Sequence, residues 1–104
     1  MTWERVAKAS QLPVGTATVV EACGIRIALC NTGEAGFHAI DDICTHDGGS
    51  LDQGVLQGTK IECPRHGAKF DVVTGKALTL PAVRKVKTYP TRVTEDGLVE
   101  IEIA

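Results

Sequence analysis

Aromatic side chains are scarce in these 104 residues, one Trp, one Tyr and two Phe. No apolar run approaches the roughly 18 residues that a bilayer-crossing helix requires, so no membrane partner is expected. The opening Met1-Thr2-Trp3-Glu4-Arg5-Val6 lacks the charged and then apolar stretch of a secretory leader, and a soluble, cytoplasmic protein is the expectation. There is no run of Lys or Arg and the formal net charge is -2. That balance excludes the basic footprint that phosphate backbones demand, and nucleic acid with it. The glycines do not form a GxxxxGK loop, so a nucleotide cradle is not read either. No internal repeat and no linker divides the chain. One domain over residues 1–104 is expected, with a radius of gyration of about 13 Å and no large active-site cleft.

Helical periodicity is also missing, and what remains is strand. Thr16–Glu21 and Ile25–Leu29 are β-rich runs joined through Cys23-Gly24, a tight hairpin in which glycine can take positive φ. Gly36–Ile40 reads as the next strand. Leu98–Ile103 alternates apolar with acidic after the turn Glu95-Asp96-Gly97. Val83 through Val93 is extended, with Pro90 confining its middle to an edge or a bulge. The expected fold is all-β: an antiparallel sandwich or barrel base interrupted by a loop-rich insert over about residues 43–82. Trp3 reads as a core or edge anchor, and His38 as a surface or packing group. Cys23 in the hairpin and Cys30 on the polar-facing register of its strand read as small structural cysteines, buried or half-buried.

The insert carries the chemistry. Cys44-Thr45-His46 and Cys63-Pro64-Arg65-His66 stand with sixteen residues between His46 and Cys63, and Lys60-Ile61-Glu62-Cys63 reads as a short strand that delivers the second pair. Ligand-spaced Cys and His in a chain of this kind favour a metal over a disulfide. Two metals suit the donors. Two thiolates and two imidazoles fit a 2Fe-2S cluster in which one iron takes the sulfurs and the other takes the ring nitrogens. The same four also make a tetrahedral zinc site that would staple an interaction module, although zinc fingers usually pair Cys with Cys and set the His pair on a helix.

Around those pairs the chain resembles the Rieske family, whose two loops read CTH with an apolar residue further on, and CPxHG followed by FD. Here these are Cys44-Thr45-His46, Leu51, Cys63-Pro64-Arg65-His66-Gly67 and Phe70-Asp71, and the turn Thr74-Gly75 and the segment Leu80-Pro81-Ala82 extend the likeness over nearly the whole chain. The resemblance implies one Rieske 2Fe-2S cluster, with Cys44 and Cys63 on a buried iron and His46 and His66 on an outer iron from which electrons leave. It implies that Phe70 packs beneath the loop, that Asp71 bonds its own turn, and that Pro81 belongs to a third loop shielding the cluster. High-potential members add a cysteine to each loop and carry Ser and Tyr where this chain has Ala68 and Phe70, which implies a potential toward the low end of the range of about -150 to +300 mV.

With two histidines assigned to iron and only Ser10 and Ser50 as serine nucleophiles, no triad forms around His38, so catalysis and a small-molecule substrate are not expected. A Rieske oxygenase would require a second and larger domain. The resemblance implies instead an electron-transfer ferredoxin of a dioxygenase system, taking electrons from a flavin-dependent ferredoxin reductase and passing them to a terminal oxygenase that acts on aromatic rings. The small subunit of an assimilatory nitrite reductase is the alternative reading.

Overall fold

A computed structural model describes residues 2–42, 54–63, 67–79 and 85–103. Among the described residues ten strands run in chain order: β1 Thr2–Lys8, β2 Thr16–Ala22, β3 Ile25–Asn31, β4 Phe37–Asp41, β5 Val55–Gln57, β6 Lys60–Glu62, β7 Lys69–Asp71, β8 Thr88–Tyr89, β9 Thr91–Val93 and β10 Leu98–Ile103. Among the described residues the one helical element is a single 3-10 turn over Ala9–Gln11, and none is long and apolar enough to cross a membrane. The radius of gyration is 12.6 Å.

Three antiparallel sheets form, in the orders β1-β10-β9, β2-β3-β4-β8 and β5-β6-β7. The hairpin of β2 and β3 pairs Ala22 with Ile25 across a turn in which Cys23 (φ 51) and Gly24 (φ 77) both lie in the left-handed region. That is the geometry of a type I′ turn, whose twist matches that of the flanking strands. Pro90 separates β8 from β9. Its missing N–H costs no ladder bond there, because β8 ends one sheet's edge and β9 begins another's.

The middle sheet has a core on each side. Ile27 and Leu29 of β3 join Val99, Ile101 and Ile103 of β10 in one buried cluster. Ala28 and Cys30, on the opposite face of the same strand, join Leu56, Ile61, Cys63, Ala68, Phe70, Val72 and Val86 in the other. A strand covered on both faces reads as a continuous apolar run rather than an alternating one, and Ile27 through Cys30 are all wholly buried. Cys30 is therefore not polar-facing. The expectation that its face met solvent fails because the β5-β6-β7 sheet covers it. Cys23 departs in the other direction and is exposed in the hairpin, its thiol 3.5 Å from Glu4 Oε1. That carboxylate's hydrogen bond, ahead of burial and charge, pushes the Cys23 pKa up.

On the outer face of β10, Glu100 is buried although its strand alternates apolar with acidic. Its Oε1 accepts from Arg92 Nε at 2.7 Å and its Oε2 lies 3.5 Å from Arg5 Nε, a row across three neighbouring strands. The Arg92 guanidinium also stacks over Trp3, 4.1 Å from the ring centre, and so covers the half-buried indole as an edge anchor.

Candidate metal centre

Residue Cys63 follows β6 directly and opens the connection to β7. Its backbone N–H donates to the Ala68 carbonyl at 2.6 Å, and its carbonyl accepts from the Gly67 N–H at 3.1 Å. Gly67 takes φ +74 with open space where a Cβ would stand, so its role is backbone conformation alone. Two ladders hold this loop from below. Ile61 pairs with Phe70, Glu62 with Lys69 and Leu56 with Ile61, and the side chains of Leu56, Ile61 and Phe70 enter the same core as Cys63. The insert thus contains a small sheet of its own, where the sequence reading gave it mainly loop.

The sulfur of Cys63 is wholly buried and in no disulfide. Among the described residues no hydrogen bond reaches it. A thiol that is soft, sequestered from water and set at the root of a loop fits the thiolate half of a mixed sulfur and imidazole donor set. The other expected ligands, Cys44, His46 and His66, lie outside the described residues, as do Leu51, Pro64, Arg65 and the Leu80-Pro81-Ala82 segment. Among the described residues no group of three or more His, Cys, Asp or Glu side chains assembles elsewhere.

The strand that leads to the first pair is held on both sides. Asp41, at the end of β4, donates its N–H to the Lys87 carbonyl at 2.9 Å, and its carboxylate accepts from the Tyr89 hydroxyl at 2.5 Å. Burial, and then the bond to Asp41, push the Tyr89 pKa well above the ordinary phenol value. Asp42 accepts from Arg26 Nη2 at 3.3 Å with its own side chain out of solvent, and its N–H donates to the Arg26 carbonyl.

Asp71 bonds its own turn as expected, its Oδ1 accepting from the N–H groups of Val73 (2.8 Å) and Thr74 (3.3 Å). Phe70 packs in the core beneath the loop with no exposed surface. Gly75, at φ +78, is crowded as well as left-handed, because a Cβ there would overlap the Val86 carbonyl oxygen. Both flanks of residues 80–84 are tied down. Thr79 Oγ1 accepts from Lys69 N–H at 2.9 Å on one side, and Val86 N–H donates to the Gly75 carbonyl at 2.8 Å on the other.

The remaining candidates stay apart from Cys63 chemically. His38 Nε2 lies 2.7 Å from the Ala35 carbonyl, a local packing contact. Burial, and then the Asp42 charge, push the Cys30 thiol up to about 12, so it stays protonated. Cys23, in the turn before β3, and Cys30, near the far end of that strand, are about 20 Å apart at the usual strand rise, too far for a disulfide.

A family model for the Rieske 2Fe-2S domain matches residues 2–90. The chain belongs to this family. It is 40% identical over 91 residues to the ferredoxin component of the naphthalene 1,2-dioxygenase/salicylate 5-hydroxylase systems of a Ralstonia species, covering 88% of this chain and 86% of that one. The ferredoxin of carbazole 1,9a-dioxygenase from Nocardioides aromaticivorans superposes with a TM-score of 0.91 at 33% identity, over 97% of both chains. A further match, at TM-score 0.88 and 36% identity over 95% of this chain and 91% of the other, comes from a complex of reduced oxygenase and oxidised ferredoxin in carbazole 1,9a-dioxygenase. A nitrite reductase small subunit from Mycobacterium tuberculosis, at 24% identity and TM-score 0.88 over 99% of this chain and 96% of that one, shows the shared fold alone. This Rieske chain is an electron carrier and not a catalyst, and the all-β reading of its fold holds.

Proposed function

We propose that this Rieske chain, as one domain over residues 1–104, carries single electrons on a 2Fe-2S cluster held by Cys44, His46, Cys63 and His66. The donor is a flavin-dependent ferredoxin reductase, and the acceptor is the terminal oxygenase of an aromatic-ring dioxygenase system in the cytoplasm. The observation that carries this reading is 40% identity to a dioxygenase ferredoxin component across most of both chains. The buried thiol of Cys63 agrees with it.

Bound there, the cluster supplies a one-electron couple whose potential the imidazole ligands lift above that of all-thiolate clusters. The chain's own residues do the rest. The core around Cys63 keeps water from the sulfur side, and the hydrogen bonds of Cys63 with Gly67 and Ala68 fix the root of the second loop. The bonds of Asp41 to Lys87 and Tyr89 fix the strand that enters the first. Docking to each partner is transient and small in area, as redox encounters are.

The absorption spectrum tests this reading. Protein purified anaerobically and reconstituted with iron and sulfide is expected to be coloured and to give a paramagnetic signal on reduction. A colourless protein holding one equivalent of zinc would replace the carrier with a stapled module.

A further inference from the structure

The net charge of -2 hides a strong asymmetry. Residues 43–87, the insert and the strip that follows it, hold seven basic and four acidic side chains, whereas the remainder holds four basic and nine acidic, so this stretch is +3, all of it from Arg84, Lys85 and Lys87, and the rest of the chain is -5. A site built from two ferric ions, two sulfides and two thiolates is itself neutral when oxidised and singly negative when reduced, which leaves residues 43–87 positive in both states.

The fold adds a lysine distant in sequence to this short basic strip. The bond from Val86 N–H to the Gly75 carbonyl sets Lys76 beside the strip that carries Lys85 and Lys87. All three are exposed, and among the described residues no ion pair engages them. Lys87 rests over the Tyr89 ring, 5.1 Å from its centre. Of the neighbouring carboxylates, Glu62 is paired with Lys69 at 3.8 Å, while Asp41, bonded by the Tyr89 hydroxyl, and Asp71, bonded by its own turn, keep their charge and are outnumbered by the three lysines. Lys60, on β6, is a fourth exposed cation, engaged by no ion pair among the described residues.

Distance decides which charge a visitor meets. The acidic residues of β1, β10 and the turn before β10 lie beyond the middle sheet. Sheets stack about 10 Å apart, so roughly 20 Å separates the two outer layers. The Debye length at physiological ionic strength is about 8 Å, and the protein is 40 Å in its longest dimension. A partner arriving at Lys76, Lys85 and Lys87 therefore meets the local positive field and not the net negative one.

We infer that the Lys76, Lys85 and Lys87 patch is a docking surface that selects a redox partner presenting an acidic face. The inference rests on the carrier reading above. Steering of this kind raises association rates, and it weakens as salt is added.

The test uses the cluster-loaded, reduced protein and two small oxidants of opposite charge in stopped flow. Each encounter moves one electron from protein to complex, giving hexacyanoferrate(II) from the anionic hexacyanoferrate(III), or ruthenium(II) from the cationic hexaammineruthenium(III). The rate with the anion is expected to fall at least about threefold between about 20 and 500 mM salt, and the rate with the cation to rise. Lys76→Glu with Lys85→Glu flattens or inverts both slopes, whereas Lys8→Glu on β1 leaves their signs unchanged. A rate with the anion that rises with salt, following the net charge, overturns the patch while leaving the carrier intact. A colourless protein that reduces neither complex overturns the carrier, and the patch with it.

Discussion

Gly75 and Gly97 share one backbone conformation, φ +78 and φ +79, and differ only in what surrounds them. An alanine at Gly97 meets nothing within 4 Å, whereas one at Gly75 overlaps the Val86 carbonyl oxygen and comes within 3.0 Å of Thr88 Cγ2. Placing any L side chain in the left-handed region costs about 1–2 kcal/mol, and that alone is the expected cost of Gly97→Ala. Gly75→Ala adds displacement of the Val86 strip. That loses the 2.8 Å bond between Val86 N–H and the Gly75 carbonyl, about 1 kcal/mol, and loosens Val86, which is 2% exposed in the core around Cys63. Loss of part of that packing costs about 1–2 kcal/mol more. The total for Gly75→Ala is thus about 3–5 kcal/mol, some two to three times that for Gly97→Ala. Urea denaturation of both variants, read by circular dichroism, measures the difference with the conformational term cancelled. Because the same crossing anchors one flank of residues 80–84, Gly75→Ala is also expected to move the reduction potential while Gly97→Ala leaves it unchanged. Equal midpoints for the two variants would refute the steric argument.

Tyr89→Phe removes the hydroxyl that donates to Asp41 and costs about 1.5–3 kcal/mol at neutral pH, as a hydrogen bond to a charged group does. The folded pKa of Tyr89 is raised, so its contribution is complete below the unfolded value of about 10 and is lost as pH rises above it, by at most about 1.4 kcal/mol per pH unit. The stability gap between the parent and Tyr89→Phe should therefore narrow above pH 10 in urea titrations, and a constant gap would contradict the assignment. Ala68→Ser together with Phe70→Tyr supplies two donors beside Cys63. At about 59 mV per 1.4 kcal/mol for one electron, and about 1 kcal/mol for a bond that favours the reduced charge, a rise of about 40 mV or more is expected by protein-film voltammetry. An unchanged midpoint would remove the argument that these two positions set a low potential.

Much of the fold was legible because β2, β3, β4 and β10 are five to seven residues long and bounded by glycine turns. The first strand escaped notice for a physical reason. Its register shifts between Arg5 and Ala7, so a bulge at Val6 breaks the two-residue period by which a half-buried strand is recognised. β5 and β7 escaped because three residues carry too little pattern to distinguish a strand from a loop. β6 was legible because the Lys60-Ile61-Glu62-Cys63 run leads into a ligand-spaced pair, although the strand ends one residue earlier, at Glu62, and Cys63 opens the connection that follows. Glu100 could not be foreseen as buried. What covers it are Arg5 and Arg92, which are distant in sequence and meet it only through the pairing of three strands.

The two cores divide the labour of the molecule, and the middle sheet is the wall between them. Ile27 and Leu29 face the core that joins this sheet to β1 and β10, and Ala28, Cys30 and Ile40 face the one that holds Cys63. Small side chains at Ala28 and Cys30 let the β5-β6-β7 sheet approach closely, so that Phe70 and Ile61 fill the space without exposure. Enlarging either position would lift the small sheet from its seat and shift the root of the second loop. A cavity opened at Val99 or Ile101 would instead weaken the base, two layers away from Cys63. The sites that govern global stability and those that tune the electron-carrying loops are thus separable along β3 itself, residue by alternate residue.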